Sequence, residues 1–535
     1  MRLGGADEFT QPHSPRHPNP VGLHTDMRIL SLTLLLACAP TDDGTVRTPP
    51  TAAEPTSTST DPTTGTGTAT GGTTPTSTTD RRVAEVGHVR ELRGIWIATV
   101  WNIDWPGAQG QSAEDHREQL TELMDRAQSL RFNAVFLQVR PEGDALYDSP
   151  HEPWSRWLTG TQGVDPGWDP LAEATQLAHG RGLELHAWLN PYRARASTAH
   201  ALAGDHFCSA TPEACHTYGT QTWMDPGDAR VRANALAVAA DLVARYDLDG
   251  LHLDDYFYPY PDGTPFPDDA TWGAYTAGGG PLDRDDWRRD NVNQLVAGLA
   301  AIVADTPVRF GISPFGIYRP GEPPGISGLD QYAELYSDPV AWVEAGHVDY
   351  LAPQLYWPTT QDAQAFEPLL DWWSTMASEG GVATFAGTNL TNLGSSPVWS
   401  LDEYRAQIEL SRAYTAQGST GNIHFSANML DDAALEALFT ELYAAPALTP
   451  VLGGHSDDVV SPPETIEVTD GVLVEHPDDL RAYTVYADAG DGWRYLHAVP
   501  GDATKVFLDP GNWAIAAVDR YGVESTGVVV TVREP

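Results

Sequence analysis

The chain has 535 residues and a formal net charge of −42, with 41% apolar and 19% charged residues. That length allows two or three domains with sizeable cores, and so negative a field repels polyanions, which excludes nucleic acid as a partner. A single lysine, Lys505, and the absence of a GxxxxGK[ST] pattern leave Schiff-base chemistry and P-loop phosphate binding without raw material.

Residues 1–26 are polar, contain proline and histidine, and have the character of neither a leader nor a domain, so Met27 is the expected true start. From there MRILSLTLLLACAP runs from one basic residue through a short apolar stretch to Leu-Leu-Ala-Cys. The stretch is too short to cross a bilayer and has the build of a secretory signal. Its end resembles the bacterial lipobox, so residues 27–38 are expected to be a lipoprotein signal. Cys38 would then be lipidated and hold an exported chain to a membrane of the bacterial envelope. Residues 39–82 are mostly Thr, Ser, Gly and Pro, cannot bury a core, and read as a flexible tether.

From about residue 88 to 446, short β-branched or apolar runs alternate with amphipathic stretches. Strands are expected at 94–100, 133–140, 183–190, 249–255, 308–314, 348–356, 382–387 and 421–427. Helices are expected near 114–129, 168–180, 228–245, 286–304, 338–345, 362–378, 402–416 and 431–443. Eight such pairs make a (β/α)8 TIM-type barrel. An open doubly wound sheet would need a glycine-rich phosphate turn after its first strand, and GxGxxG is absent there.

In a barrel, alternate strand residues point inward and the working groups lie at the C-terminal strand ends. That parity nominates Gln138 and Arg140 on the second strand, and His186, Trp188 and Asn190 on the third. It also nominates His252 and Asp254 on the fourth, Ser313 on the fifth, Gln354 and Tyr356 on the sixth, and His424 and Ser426 on the eighth. The fourth segment, DLDGLHLDDYFYPY, delivers two adjacent acids, Asp254 and Asp255, at the end of a buried run. Buried carboxylates are costly unless paired, hydrogen-bonded or used. The aromatic rings of Tyr256, Trp357, Trp101 and their neighbours suit the apolar faces of sugars. Cys208 and Cys215 are placed to form a local disulfide in an exported protein. Their spacing, even with His206 and His216 close by, matches no standard zinc site, so no metal and no cofactor are expected.

RGIWIATVWNIDWP (93–106), VFLQVRPEGDALYDSPHEPWSRWLTGTQG (135–163), DPLAEATQLAHGRGLELHAWLNPYR (169–193), DGLHLDDYFYPY (249–260), RRDNVNQLV (288–296), FGISPFGIYR (310–319) and VDYLAPQLYWP (348–358) together resemble glycosyl-hydrolase-like family 10. The resemblance spans roughly residues 91–443. It implies a (β/α)8 glycosidase-like protein, often exported or lipid-anchored, with peptidoglycan strands as substrate in at least one branch. A more distant likeness to the chitinase signature DGxDxDxE aligns Asp249 and Asp254. It departs at His252 and at Tyr256, which stands where the catalytic Glu would be, and so speaks against the acetamido-assisted mechanism.

Glycoside hydrolysis ordinarily needs a proton-donating carboxylic acid and a second carboxylate. Asp254 is the first candidate and Asp255 the second, with Glu142 favoured over Asp144 and Asp104 as a further partner by parity with Gln138 and Arg140. Gln138, Arg140, Trp188, Asn190, His252, Tyr256, Ser313, Gln354, Tyr356 and Trp357 are expected to bind a polysaccharide. Two other readings remain: a non-catalytic glycan-binding lipoprotein, and a metal-dependent deacetylase using Asp254, Asp255 and a histidine. Beyond residue 446 short strands separated by turn residues predict a β-sandwich over 462–535. Its WAIAAVDRYGVES segment resembles fibronectin type III modules.

Overall fold

The computed structural model describes residues 82–451, 458–468 and 470–534. The proposed leader, Cys38 and nearly all of the tether lie outside the described residues. Eight strands, β1 (Leu92–Ile97), β2 (Ala134–Arg140), β3 (Glu184–Leu189), β4 (Gly250–Leu253), β5 (Arg309–Ile312), β6 (Tyr350–Leu351), β7 (Ala383–Asn389) and β8 (Ser419–Phe425), close into a barrel. Every neighbouring pair is parallel, including β8 with β1, so the expected (β/α)8 fold is borne out.

The helices alternate with the strands: α1 (Ala113–Ser129), α2 (Pro170–His179), α3 (Ala229–Arg245), α4 (Arg284–Val303), α5 (Pro339–Glu344), α6 (Phe366–Glu379), α7 (Leu401–Ala413) and α8 (Ala433–Leu442). The acidic composition has a local use in starting them. Ser112, Asp169, Asp228, Asp283, Asp338 and Asp432 each cap a helix by accepting a backbone N–H of the first turn. Such caps stabilise a helix by about 1 kcal/mol each and sit where the helix dipole favours negative charge.

The barrel interior is aromatic and polar where aliphatic residues usually dominate. Trp96, Phe136, Tyr350 and Phe385 fill it around His186 and His252. Glycines on adjacent strands make the room: a Cβ at Gly250 would lie 2.2 Å from His186 Nδ1, and one at Gly311 2.1 Å from the Tyr350 ring. Gly311→Ala should therefore lower stability by about 3 kcal/mol or more through overpacking, a loss that denaturant unfolding would detect.

Two strand expectations need correction. The sixth strand stops at Leu351, because Pro353 has no N–H to donate, and Gln354 makes only isolated bridges to Phe315 and Gly387. On β8 the inward residues are Ile423 and its parity mates, so His424 faces the helices. Its ring nitrogens meet Thr388 Oγ1 at 2.6 Å and Tyr443 Oη at 3.0 Å. Ser426, beyond the strand, donates to Asp104 Oδ1.

C-terminal to the barrel, β9 (Glu464–Val468), β10 (Gly471–Glu475) and β13 (Lys505–Phe507) form one antiparallel sheet. β11 (Leu480–Asp488), β12 (Trp493–Pro500), β14 (Gly511–Asp519) and β15 (Gly527–Val532) form a second, extended by Val83–Ala84 at its edge. Val472, Val485, Val506 and Ile515 share one core between the sheets, which makes the unit a sandwich. The outer face of its larger sheet packs against Leu448 at the foot of the barrel. There Glu184, the first residue of β3, receives Arg309 Nη1 at 2.6 Å, Thr449 Oγ1 at 2.5 Å, and Arg481 from the sandwich. Arg520 of the sandwich also pairs with Asp247. The module thus closes the N-terminal end of the barrel and leaves the C-terminal mouth to the loops.

Candidate active site

At the mouth, β4 hands its inward parity from His252 to Asp254, which is 4% exposed. The carboxylate is surrounded by donors. Trp188 Nε1 lies 3.0 Å from Oδ2, Asn190 Nδ2 lies 3.1 Å from Oδ2 and 3.3 Å from Oδ1, and the Tyr256 N–H points at Oδ1 from 3.3 Å. Burial outweighs these bonds and, with the neighbouring Asp255 charge, pushes the Asp254 carboxyl up to about 7; the Arg193 guanidinium pulls the other way.

Asp255 has the opposite parity, but the chain turns immediately, with Phe257 N–H bonded to its carbonyl. That turn brings its side chain to the hydroxyl of Tyr260 and the amide of Gln354. Burial raises its pKa as well, opposed by those two hydrogen bonds. Tyr256, Tyr260 and Tyr356 all have pKa values raised by burial, so their hydroxyls are neutral around this acid.

Arg193 was not among the expected residues. Its N–H donates to Asn190 Oδ1 at 2.9 Å, its Nε to Pro141 O at 3.1 Å, and its guanidinium carbon lies 5.0 Å from the Tyr256 ring centre. It is the cation whose charge opposes protonation of both acids. The only hint in the sequence was its place at the end of the LNPYR segment, just past a strand.

The other expected residues separate by depth. His252 sits a layer below Asp254: Trp96 Nε1 donates to its Nε2 at 3.1 Å, Ser313 Oγ lies 3.1 Å from the same nitrogen, and Tyr350 Oη lies 3.2 Å from Nδ1. Burial drives its pKa far down, so it is a neutral framework residue, and Ser313 belongs to that network. Gln138 Oε1 accepts the N–H groups of Thr99 and Val100 at 3.1 and 2.9 Å, fixing the turn after β1. Gln354 Nε2 also donates to Ser313 O, Tyr356 borders Phe425, and Trp357 packs on Phe315.

Arg140 does not reach the mouth. The β2–β3 register slips between Gln138 and Arg140, and such a bulge reverses the facing of every later residue. Arg140 is instead held by both oxygens of Glu152 and by the carbonyls of Asn190 and Pro191. Past the bulge, Glu142 lies beside Asp144, Arg156 and His200, and accepts the Ala196 N–H. Asp144, whose carboxyl burial and the Glu142 charge raise to about 7, accepts Gln162 Nε2 at 3.0 Å. Asp104, raised by burial to about 6, holds Ala98 N, Ser426 Oγ and Asn428 N beyond β1.

Cys208 and Cys215 form a disulfide, Cα atoms 5.7 Å apart, in the long loop after β3. The deacetylase reading calls for a histidine beside Asp254 and Asp255, but His252 has both ring nitrogens committed to the barrel interior. Among the described residues no group of three His, Cys, Asp or Glu side chains converges as a metal centre requires.

Residues 91–402 match the family model described as glycosyl hydrolase-like 10. The chain is 38% identical over 450 residues to "Glycosyl hydrolase YngK" of Bacillus subtilis (strain 168), covering 78% of this chain and 88% of that protein. It is 33% identical over 353 residues to "Glycosyl hydrolase DigH" of Escherichia coli (strain K12), covering 60% and 80% respectively. The solved PgaB (BpsB) glycoside hydrolase domain from Bordetella bronchiseptica, 14% identical, superposes with a TM-score of 0.42 over 66% of this chain and 98% of that one. On the family-model match and the curated relatives, both made across the barrel that carries the two buried acids, the chain belongs to the glycosyl hydrolase-like 10 family.

Proposed function

We propose that this protein is an exported glycoside hydrolase, anchored by a lipid on Cys38, that cleaves a polysaccharide of the bacterial envelope. Peptidoglycan glycan strands are the first substrate to test. The observation that carries the reading is the pair Asp254 and Asp255, both buried at the C-terminal end of β4 and differently bonded. Two carboxyls whose surroundings separate their tasks are the usual basis of acid–base division in such enzymes. The relatives' names, both glycosyl hydrolases, support the same class.

Asp254, with a pKa near the working pH, transfers the proton to the leaving glycosidic oxygen. Trp188 and Asn190 fix its orientation, and Arg193 stabilises the anion once the proton has gone. Asp255, bonded to Tyr260 and Gln354, supplies the negative charge that an oxocarbenium-like transition state requires, and water then adds to the anomeric carbon while its proton returns to the Asp254 carboxylate. The purified protein, incubated with intact and with peptide-stripped peptidoglycan, should release new reducing ends and products whose masses identify the bond cut. Binding without release would instead favour a glycan-binding lipoprotein.

A further inference from the structure

The turn after β1 holds a strained tryptophan. Trp101 and Asn102 both have positive φ, 60° and 50°, which for a bulky residue is a true outlier costing about 1–3 kcal/mol and persisting only where the surroundings enforce it. They do enforce it here. Gln138 Oε1 takes the N–H groups of Thr99 and Val100, Asp104 Oδ2 takes that of Ala98 at 2.7 Å, and Asn102 Nδ2 donates to Pro106 O and Trp157 O at 2.9 and 3.0 Å. The result is a ring at the mouth that is 38% exposed, the one tryptophan among the exposed large apolar residues of the described chain.

Beside that ring lies an unusual concentration of unsatisfied polar atoms. The Trp157 and His200 rings are 5.3 and 5.1 Å from Trp101. Arg156 Nε and His200 Nδ1 stand 3.6 and 3.9 Å from the two Glu142 oxygens, too far for hydrogen bonds. Glu142 Oε2, Arg156 Nε, Trp157 Nε1 and His200 Nδ1 are all buried and all without a hydrogen-bond partner. Glu142 and Trp157 are 1% and 2% exposed. A buried unsatisfied polar group costs about 1–3 kcal/mol, and native proteins keep few of them. Four such atoms beside a propped-up aromatic face, two of them 3.6 and 3.9 Å from the Glu142 carboxylate, describe a site built for a ligand, not for packing.

We propose that Trp101, Trp157, Glu142, Arg156 and His200 form a sugar-binding subsite separate from the acids. A neutral pyranose unit of the glycan stacks on Trp101 and turns toward Glu142 and Arg156 a substituent that both donates and accepts, either a hydroxyl or an acetamido group. The subsite lies along the path of a bound chain. Asn190, which holds Asp254, and Ala196, whose N–H holds Glu142, are six residues apart on one segment, so the two places are within about 20 Å. This assigns Glu142 to binding and not to proton transfer, and it rests on the glycan-cleaving reading above.

The test uses the full chain carrying Asp254→Asn, so that bound glycans stay intact, with ladders of chitin and cellulose oligosaccharides from two to six units. Trp101→Ala added to that background should weaken binding of the longest oligomers roughly tenfold or more, the effect of losing a buried-edge aromatic anchor, and leave the disaccharide unchanged. Trp101→Phe should restore most of the loss, which separates stacking from misfolding. Preference for the chitin ladder identifies an acetamido partner, and equal affinity for both identifies a hydroxyl. In the otherwise wild-type enzyme, Glu142→Gln should raise KM for long substrates with kcat retained. Unchanged binding across the series in Trp101→Ala, failure of the parent to bind either ladder, or a collapse of kcat in Glu142→Gln with binding intact would each overturn the subsite. If the ladders bind through Trp101 yet the enzyme with Asp254 intact releases no products from them or from peptidoglycan, the subsite stands and the hydrolase reading falls.

Discussion

Asp254→Asn should reduce glycan cleavage about 10³-fold while leaving the barrel folded, because a proton-transferring side chain at this kind of site contributes about 10²–10⁴ in rate. The carbonyl oxygen of the asparagine can still receive Trp188 and Asn190, so the loss is of the proton and not of the packing. In the parent enzyme kcat should fall as pH rises through about 7, where the Asp254 carboxyl gives up its proton. Stability reports the same group independently. A carboxyl raised from 3.8 to about 7 on folding contributes stability that is full below its unfolded pKa and is lost as pH rises through the folded one. Three pK units correspond to about 4 kcal/mol at most. Denaturant unfolding at pH 5 and pH 8 should therefore show the parent losing stability relative to Asp254→Asn at the higher pH. Wild-type turnover in the variant, or identical pH dependence of unfolding in both proteins, would remove Asp254 from the proposed role.

The second large effect lies at the other end of the barrel. Glu184 is 3% exposed and is the shared anion for Arg309 of β5 and Arg481 of the sandwich. Burial already lowers the pKa of Arg309, and it lowers that of Arg481 to about 10 with help from the nearby Arg90 charge. Removing one partner of a buried ion pair strands the other's charge, at a cost of about 3–5 kcal/mol. Glu184→Gln should lose about that much in equilibrium unfolding, and Glu184→Gln combined with Arg481→Met should recover part of it by deleting one stranded charge. A loss under roughly 1 kcal/mol, within the range of an ordinary surface change, would show that the network holds neither the barrel floor nor the module in place. Glycan cleavage is expected to survive in the folded fraction, since in barrel enzymes the N-terminal end serves stability and the C-terminal end carries the active site.

The helix starts were legible because they are local. An Asp or Ser ahead of an amphipathic run caps the first turn wherever the helix later packs, and α1, α3 and α8 begin within two residues of where the pattern placed them. Side-chain direction was legible only while the pleat ran unbroken. On β3 and β4 it did, and Trp188, Asn190 and Asp254 meet as the alternation required. On β2 one bulge carried Arg140 away to Glu152. On β8 polar residues occupied both phases of the alternation, and nothing local chose between Ile423 and His424 for the interior.

The sequence by itself determined the eight-fold alternation, the position of the paired acids at a strand end, and the change to an all-β module, since each depends on periodicity and turn chemistry within a few residues. Tertiary structure alone decided which polar groups share a site. Arg193 reaches Asp254 and Tyr256 through a loop return, Gln354 meets Asp255 across the one intervening strand end, that of β5, and Glu142 stands beside Arg156 and His200. Those meetings depend on where loops of unlike length close in space, and on the electrostatic consequence of being buried there, which no local pattern encodes.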